Sequence, residues 1–485
     1  MKIFHFSFLL SSIIAFALLY TNRDVAGVET CTFCILCCNM IYALCNIKKR
    51  FVFMMFQITF LVFLLGQNFA SALSFTEGVF RPEIKEFPID TQLHIYLTLF
   101  ISLIGVFIGY ALNESKYRDS ATELKFSLDS IYMNKLRYYS KNFMYFLSIF
   151  AASVSLEKAI FVQNLGYVEY YVSFDSHLPA IFYRLESMYE MSVYLFLATF
   201  PRWKECRFPL LLYLLIGCMS LGYGQRNGMM LTMIFIVIYF CIRHQYKFYG
   251  NSEVWINKTR IIIVSIAIPF MLFFMYTFGS TRVDEIATEY GNLLDNTLAF
   301  FDQQGGSVRL IGYEKEFSDS NMFPTDVPPY TFGYLIDLFQ QNAIFRAFNV
   351  YPSYESLSTE LAMKGHNFSQ TITYLYNPNH YFMGFGLGSC YIAETHHDFG
   401  IIGVFIINFL YGLIIALFHK YIRKNTWSLF AGFVIITSIL YAPRAGALSF
   451  INLLIAPSTI IFVVIMHLLT KKYKNIRPIS REKLA

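Results

Sequence analysis

Apolar runs recur along this chain, and each is longer than a core element of a soluble protein needs to be. A helix rises about 1.5 Å per residue and the hydrocarbon layer is about 30 Å thick, so about 17 to 25 apolar residues can cross a bilayer. Backbone polar groups find no water there, which makes such runs helices. With 56% hydrophobic and only 14% charged residues, the sequence indicates a membrane protein.

We predict an all-α polytopic fold with about twelve transmembrane helices and a large, partly helical outer loop before the last three. The first run is interpreted as a retained span, because no small-residue cleavage pattern follows it. The predicted spans are Ile3–Tyr20, Cys31–Ile47, Phe51–Leu73, His94–Leu112, Phe143–Phe161, Ile181–Phe200, Leu210–Tyr223, Met229–Ile242, Ile261–Phe278, Phe399–Phe418, Ser428–Tyr441 and Phe450–Leu469.

The distribution of basic residues predicts the orientation. If both ends are cytoplasmic, the inner loops and termini hold 26 of the 38 Lys and Arg residues, although the longest loop is outside. The net charge of +6 is then a topology signal, and nucleic acid is not an expected partner, whereas membrane lipids are. The predicted domains are 1–278 with spans one to nine, 279–398 as the outer loop, and 399–485 with the last three spans and a basic tail.

Two arginines are predicted at the outer edge of the hydrocarbon. Arg226 lies in the joint Gly224–Gly228, which the flanking helices lift about 25 to 29 Å above their inner anchors. Arg444 lies about 30 Å above Lys424 by the same measure. A charge at membrane depth costs roughly 2.5 to 3.5 kcal/mol on insertion scales, so both are functional candidates, with snorkelling to the headgroups as the alternative.

Further positive charge is expected on the outer side, from Arg184, Arg282 and Arg309. Each alone is as well explained by an ion pair, for example with Glu186, Asp284 or Asp302. Together with the two joint arginines they suggest an anion site, because a guanidinium fork matches phosphate oxygens two at a time.

A glycine-rich run, Gly384–Gly400, precedes the tenth predicted span. Its spacing is wrong for a dinucleotide fingerprint, and it predicts a tight turn into the span. Four residues near the membrane surface are candidates for proton transfer from an incoming hydroxyl: Glu394, His396, His397 and Asp398. For Asp398, capping of a helix start is the alternative.

No metal site and no cofactor are expected. Cysteines are closely spaced in the second predicted span, at Cys31, Cys34, Cys37 and Cys38. A zinc site needs four converging ligands, and no second cysteine pair or histidine accompanies them. They are interpreted as small apolar residues of a span.

Three short motifs resemble those of the Wzy-type O-antigen polysaccharide polymerases. They are Gly-x-Arg at 224–226, Gln-Gly-Gly-Ser at 304–307, and the run of Gly-x-Gly-Ser, Ile-Ala-Glu and Asp-Phe-Gly within 386–403. The number of spans and the late outer loop are similar too. Where such polymerases often carry Tyr before Asp-Phe-Gly, this chain has His396-His397, which leaves a proton-transfer role for either histidine open.

This resemblance implies a metal-independent glycosyltransferase of the bacterial inner membrane, with its active site facing the periplasm. The growing glycan would pass from undecaprenyl diphosphate to a sugar hydroxyl of the next undecaprenyl-diphosphate-linked oligosaccharide. A chain-length regulator and a flippase are the implied protein partners. An anionic leaving group needs arginines and an acceptor hydroxyl needs a base, which agrees with the candidate residues.

Two other functions stay open at this point. An O-antigen ligase shares the donor and the leaving group but uses lipid A-core as acceptor. A lipid-linked oligosaccharide flippase is a transporter, and it predicts charged residues in the middle of many spans. Most predicted spans here have uncharged middles, which favours an enzyme.

Overall fold

The structure is a computed structural model that describes residues 2–74, 80–114, 128, 130–245, 255–280, 293–340 and 354–474. Within these residues every regular element is a helix, which confirms the all-α prediction. The α-helices are Lys2–Thr21, Val25–Leu44, Ile47–Leu64, Gly66–Leu73, Ile89–Glu114, Ile131–Leu165, Tyr167–Val172, Ala180–Glu186, Tyr189–Ala198, Trp203–Met219, Arg226–Gln245, Lys258–Ser280, Leu293–Gly305, Arg309–Asp319, Gly333–Gln340, Thr359–Lys364, Phe368–Tyr376, Pro378–Phe382, Tyr391–Tyr421, Thr426–Tyr441, Ser449–Ile455 and Pro457–Lys471. Short 3-10 helices are Glu83–Glu86, Ser220–Tyr223, Gly306–Val308, Tyr330–Phe332 and Ala442–Arg444.

Seven of the described helices are long and apolar enough to cross a membrane, and two bent pairs raise the number to nine. The first pair, Ile47–Leu64 with Gly66–Leu73, bends by 78°, and the second, Ser449–Ile455 with Pro457–Lys471, bends by 43°. The chain is therefore a multi-pass membrane protein. The number of twelve spans stays a prediction, as do the boundaries of the outer loop.

The chain forms two compact units. Unit 1 comprises Met1–Arg118, Ser265–Leu417 and Ser438–Asn452, and unit 2 comprises Asp119–Val264, Phe418–Thr437 and Leu453–Ala485. The candidate residues divide between them. Glu394, His396, His397, Asp398, Arg309 and Arg444 belong to unit 1, whereas Arg184 and Arg226 belong to unit 2.

Glycines bring two spans of unit 1 into close contact. A Cβ added at Gly109 would lie 2.0 Å from the carbonyl oxygen of Phe409, and one added at Gly412 would lie 2.1 Å from that of Val106. The helices Ile89–Glu114 and Tyr391–Tyr421 thus pack backbone to backbone, as small residues permit in membranes. Asn408 Nδ2 also donates to Ser102 Oγ at 3.0 Å between these helices.

The two ends of the helix Ile89–Glu114 have different ionic partners. At its first turn, Asp90 pairs with Arg23 at 2.7 Å. At its last residue, Glu114 pairs with Arg50, which is the third residue of the basic turn Lys48–Arg50. This end of unit 1 is therefore the one that carries the basic turn, and the Asp90 end is opposite to it.

In unit 2, a glycine joint connects two spans as predicted. Gly224 has a φ of +76°, which favours glycine, and Arg226 begins the next helix. A Cβ added at Gly217 would lie 2.8 Å from Thr232 Oγ1, so the helices Trp203–Met219 and Arg226–Gln245 pack closely on both sides of the joint.

Candidate active site

A buried carboxylate, Glu314, lies against two adjacent histidines. It belongs to the helix Arg309–Asp319 and is 1% exposed. His396 Nδ1 lies 2.7 Å from one oxygen of Glu314, and His397 Nδ1 lies 3.8 Å from the other. Ser318 Oγ donates to Glu314 Oε1 at 3.0 Å. Glu314 thus holds both histidines that the sequence singled out.

The environment of Glu314 favours its ionised form. Burial raises its pKa, but the hydrogen bond with His396, the nearby ring of His397 and the hydrogen bond from Ser318 outweigh burial and lower the pKa to about 2. An ionised carboxylate is only an acceptor, so Nδ1 of His396 carries the proton between them. Nε2 is then the ring nitrogen of His396 that is free to accept a proton, as in a histidine oriented by a carboxylate in a catalytic triad.

A third histidine, His94, completes this cluster. Its ring stacks edge-on against the ring of His396 with 4.3 Å between centroids. Its Nε2 is buried and has no hydrogen-bond partner among the described residues. His94, Glu314 and His396 each offer a ligand atom within 4.8 Å of the others, so this set could hold a divalent ion. The expectation of a metal-free enzyme stays a prediction.

Sequence reasoning missed both Glu314 and His94. Glu314 lies in a segment of the predicted outer loop that has no motif, and His94 lies at the start of a predicted apolar span. Each contacts His396 only because three separate helices meet at this point. One signal was available, since a histidine at the mouth of a span is a polar residue that needs a partner.

Glu394 is buried and is hydrogen-bonded to the turn that contains Arg444. Its carboxylate accepts hydrogen bonds from Ser389 Oγ at 2.5 Å and from the backbone N–H of Ala447 at 2.8 Å. The side chain is 1% exposed, so both oxygens are committed to protein donors. Because Glu394 is two residues before His396, this hydrogen bond joins the Arg444 turn to the helix that carries His396, within unit 1.

Asp398 caps a helix, but not its own. Its carboxylate accepts from the backbone N–H of Tyr330 at 3.1 Å, and from the backbone N–H and hydroxyl of Thr331 at 2.6 and 2.5 Å. These groups begin the 3-10 helix Tyr330–Phe332, whose N–H groups need an acceptor. Asp398 therefore caps the 3-10 helix Tyr330–Phe332 rather than the start of its own helix, which the sequence offers as the alternative to proton transfer.

The expected turn before the tenth span has a different form in the structure. The helix begins at Tyr391 rather than at Phe399, and Gly400 interrupts it with a φ of +61°. The glycine-rich run predicts a turn at the entrance to the span, whereas the break at Gly400 lies inside a longer helix. All four proton-transfer candidates consequently lie on the helical turns that precede Gly400.

Arg444 is positioned by the Gln-Gly-Gly-Ser stretch. Its Nη1 donates to Gln304 Oε1 at 3.0 Å, and Gln304 is 1% exposed at the end of the helix Leu293–Gly305. A Cβ added at Gly305 would lie 2.5 Å from the backbone nitrogen of Gln67. The glycine therefore allows this helix to pack onto the bent pair beside Gly66, which brings Gln304 to Arg444.

Arg309 has an acidic partner that was not foreseen. Its Nη1 lies 3.4 Å from both carboxylate oxygens of Glu83, and both side chains are about one-third exposed. Among the described residues, Glu83 and not Asp302 makes this contact. Glu83 offsets part of the charge of Arg309, which weakens its case as a phosphate ligand relative to Arg444.

The remaining arginines are placed as follows. Arg226 is half-buried at the first residue of its helix, and Arg184 is exposed on the last turn of the helix Ala180–Glu186. Both lie in unit 2. Arg282 lies outside the described residues.

Comparison with known proteins identifies the family. The family model of the O-antigen polysaccharide polymerase Wzy matches residues 1–475, which is almost the entire chain. No curated protein and no solved structure matches the chain.

Proposed function

This chain belongs to the O-antigen polysaccharide polymerase Wzy family, and from that premise we propose that it elongates a glycan carried on undecaprenyl diphosphate. In each cycle the bond between the anomeric carbon of the growing chain and its diphosphate oxygen breaks. A new bond forms between that carbon and a hydroxyl oxygen of the next lipid-linked repeat unit. The hydroxyl proton passes to a base, and undecaprenyl diphosphate leaves.

The observation that carries this proposal is that Glu394 joins the Arg444 turn to the helix of His396, a histidine held by the carboxylate of Glu314. Arg444 supplies the positive charge for the leaving diphosphate, and Gln304 holds its guanidinium. At about 4 Å and an effective dielectric near 20, one such charge pair is worth about 4 kcal/mol. Arg226, Arg184, Arg309 and Arg282 are proposed as further ligands of the diphosphate.

For the base we propose His396. With Glu314 ionised, His396 donates through Nδ1 and keeps Nε2 for the incoming hydroxyl. Glu394 and Asp398 have their oxygens bonded to groups of the protein, so we assign them to positioning. His397 stays as the alternative base, because it shares Glu314 and is partly exposed.

Orientation supports catalysis at the periplasmic face of the inner membrane. The contacts of His396 with His94 lie near the Asp90 end of the helix Ile89–Glu114. The opposite end carries the basic turn Lys48–Arg50 through the ion pair with Glu114. Basic turns lie preferentially on the cytoplasmic side, which supports the proposal that the histidine cluster faces the periplasm.

Family membership favours a polymerase over the two alternative functions. A ligase would pass the same donor to lipid A-core, and a flippase would move the lipid-linked oligosaccharide without forming a bond. We further propose that catalysis needs no metal ion and that a flippase and a chain-length regulator act beside this chain. Full dependence of the purified enzyme on a divalent ion would contradict the metal-free proposal.

The lipopolysaccharide of a strain that lacks this chain tests the function. A polymerase defect should leave lipid A-core with one repeat unit, whereas a ligase defect should leave bare core and a flippase defect should leave no repeat at the surface. The purified chain should also lengthen a lipid-diphosphate repeat unit in lipid nanodiscs. A bare core in the deletion strain, restored by the gene, would overturn the proposal in favour of a ligase.

A further inference from the structure

A cavity of about 720 Å³ opens in the part of unit 1 that follows the helix Arg309–Asp319. Its volume is within the range of small-molecule binding sites, which is about 300 to 1,000 Å³. The proposed function does not use the residues that line it, which include Pro324, Asp326, Ile336, Tyr354, Lys364 and His366.

The walls of this cavity are braced by the protein. A Cβ added at Gly333 would lie 1.9 Å from the carbonyl oxygen of His366, so the helix Gly333–Gln340 rests directly on the backbone beside the cavity. The helix Thr359–Lys364 is capped by Ser358, and Thr371 Oγ1 donates to the carbonyl oxygen of Ala362 at 2.7 Å. These contacts preform the cavity, which lowers the entropic cost of binding.

The lining combines the groups that recognise a sugar. His366 is 8% exposed, and its Nδ1 has no hydrogen-bond partner among the described residues. An unpaired buried nitrogen that lines a cavity gains from a ligand hydroxyl. Asp326 and Lys364 add an acceptor and a donor of opposite charge, while Tyr354 and Ile336 offer apolar contact. Sugar rings have a hydroxylated rim and apolar C–H faces, which suit such a mixture.

The cavity shares a wall with the proposed catalytic centre. Pro324 and Pro328 line the cavity, and the residues at either end of this stretch contact the histidine helix. The ring of Phe323 lies 4.2 Å from that of His397 between centroids, and Asp398 accepts hydrogen bonds from the backbone of Tyr330 and Thr331. Only the segment 323–331 therefore separates a ligand in the cavity from the helical turn that carries His396 and His397.

We propose that this cavity binds the oligosaccharide of the acceptor, the next lipid-linked repeat unit, and so presents its non-reducing sugar to the base. This inference rests on the proposed function, since it names the acceptor site of that reaction. The cavity adjoins the helix of His396, the proposed base, which removes a proton from the acceptor. The diphosphate of the donor is assigned to Arg444, so the acceptor is the substrate that suits this cavity.

Two cavity variants test this inference with the full chain in lipid nanodiscs. Tyr354→Ala and His366→Ala should each raise the KM for the acceptor about tenfold, the effect of losing one good contact, while kcat stays within about twofold. Tyr376→Ala is the matched control, because Tyr376 is 43% exposed and does not line the cavity. This control should leave both constants unchanged.

Direct binding separates failure of this inference from failure of the proposed function. The probe is the oligosaccharide released by mild acid from the lipopolysaccharide of the source strain, with maltotriose as the control sugar. Saturation-transfer NMR should show contact of the released oligosaccharide with the wild-type chain and a loss of it in Tyr354→Ala, whether or not the chain polymerises. Contact of the probe with Tyr354→Ala and His366→Ala at the wild-type level would overturn the inference. Displacement of the probe by sugar-free lipid would also overturn it. In the kinetic test, a KM raised for the donor alone would do the same.

Discussion

Glu394 accepts a hydrogen bond from the backbone N–H of Ala447 at 2.8 Å, and this bond joins the Arg444 turn to the helix of His396. Gly446 directly precedes Ala447 in this turn. A Cβ added at Gly446 would be 2.1 Å from the ring of Tyr334 and 2.8 Å from Glu394 Oε1. The turn therefore closes around the carboxylate. The geometry points to a role of Glu394 in placing Arg444 rather than in moving a proton.

Substitutions of Glu394 distinguish these two roles. Gln can still accept from Ala447 and can donate to Ser389, so Glu394→Gln should keep polymerisation within about tenfold of wild type. Glu394→Ala leaves two buried donors unpaired and should lose more than the Gln variant. The initial rate of glycan elongation in nanodiscs measures both. A Gln variant as inactive as a base-deleted enzyme would restore Glu394 as the base.

Arg444→Ala should lower polymerisation about a hundredfold or more, because a diphosphate loses a preorganised charge. Arg444→Lys should be partly active, since lysine keeps the charge and loses the fork. Arg226→Ala should behave like Arg444→Ala. Arg23→Ala is the matched control, because Arg23 is an exposed arginine that pairs with Asp90. Normal accumulation and full-length polymer in both arginine variants would show that they only anchor the spans.

His396→Ala should slow elongation by about a hundredfold to ten thousandfold, the usual contribution of a general base. Glu314→Gln should also slow it, because a neutral amide no longer fixes the tautomer of His396. His397→Ala should have a smaller effect. Single-turnover kinetics with saturating acceptor would measure the chemical step. If His397→Ala is the most damaging of the three, the base is His397.

Chelation tests the metal-free proposal against the cluster of His94, Glu314 and His396. We expect the purified chain to keep its activity after EDTA treatment and dialysis, and to contain no stoichiometric metal by mass spectrometry. A different result is informative. Activity that is lost with EDTA and restored by zinc, together with loss of bound zinc in His94→Ala, would show that the cluster is a metal site.

Gly109→Leu should destabilise unit 1, because its Cβ position is 2.0 Å from a backbone oxygen of the neighbouring span. Overpacking of this kind costs typically about 1 to 3 kcal/mol. Thermal unfolding in detergent should show a lower midpoint than wild type. Gly386→Ala is the control for stability, since a Cβ there meets nothing within 4 Å. An unchanged midpoint for Gly109→Leu would contradict the close helix contact.

The sequence alone determined the helical, membrane-spanning character of this protein, the ends of spans at which Arg226 and Arg444 lie, and the family. These are local properties, because burial in a bilayer depends on the composition of about twenty consecutive residues. The four proton-transfer candidates could also be identified locally, from one short run with titratable groups.

Roles among those candidates can be proposed only from the tertiary structure. Glu314 and His94 reach His396 from distant segments, and Glu394 meets the Arg444 turn 53 residues further along the chain. Such contacts depend on how helices pack, since glycines such as Gly109 and Gly305 allow approaches that no local pattern specifies. A sequence does not distinguish a carboxylate whose oxygens are free from a carboxylate whose oxygens accept hydrogen bonds from the backbone. Packing decides between the two.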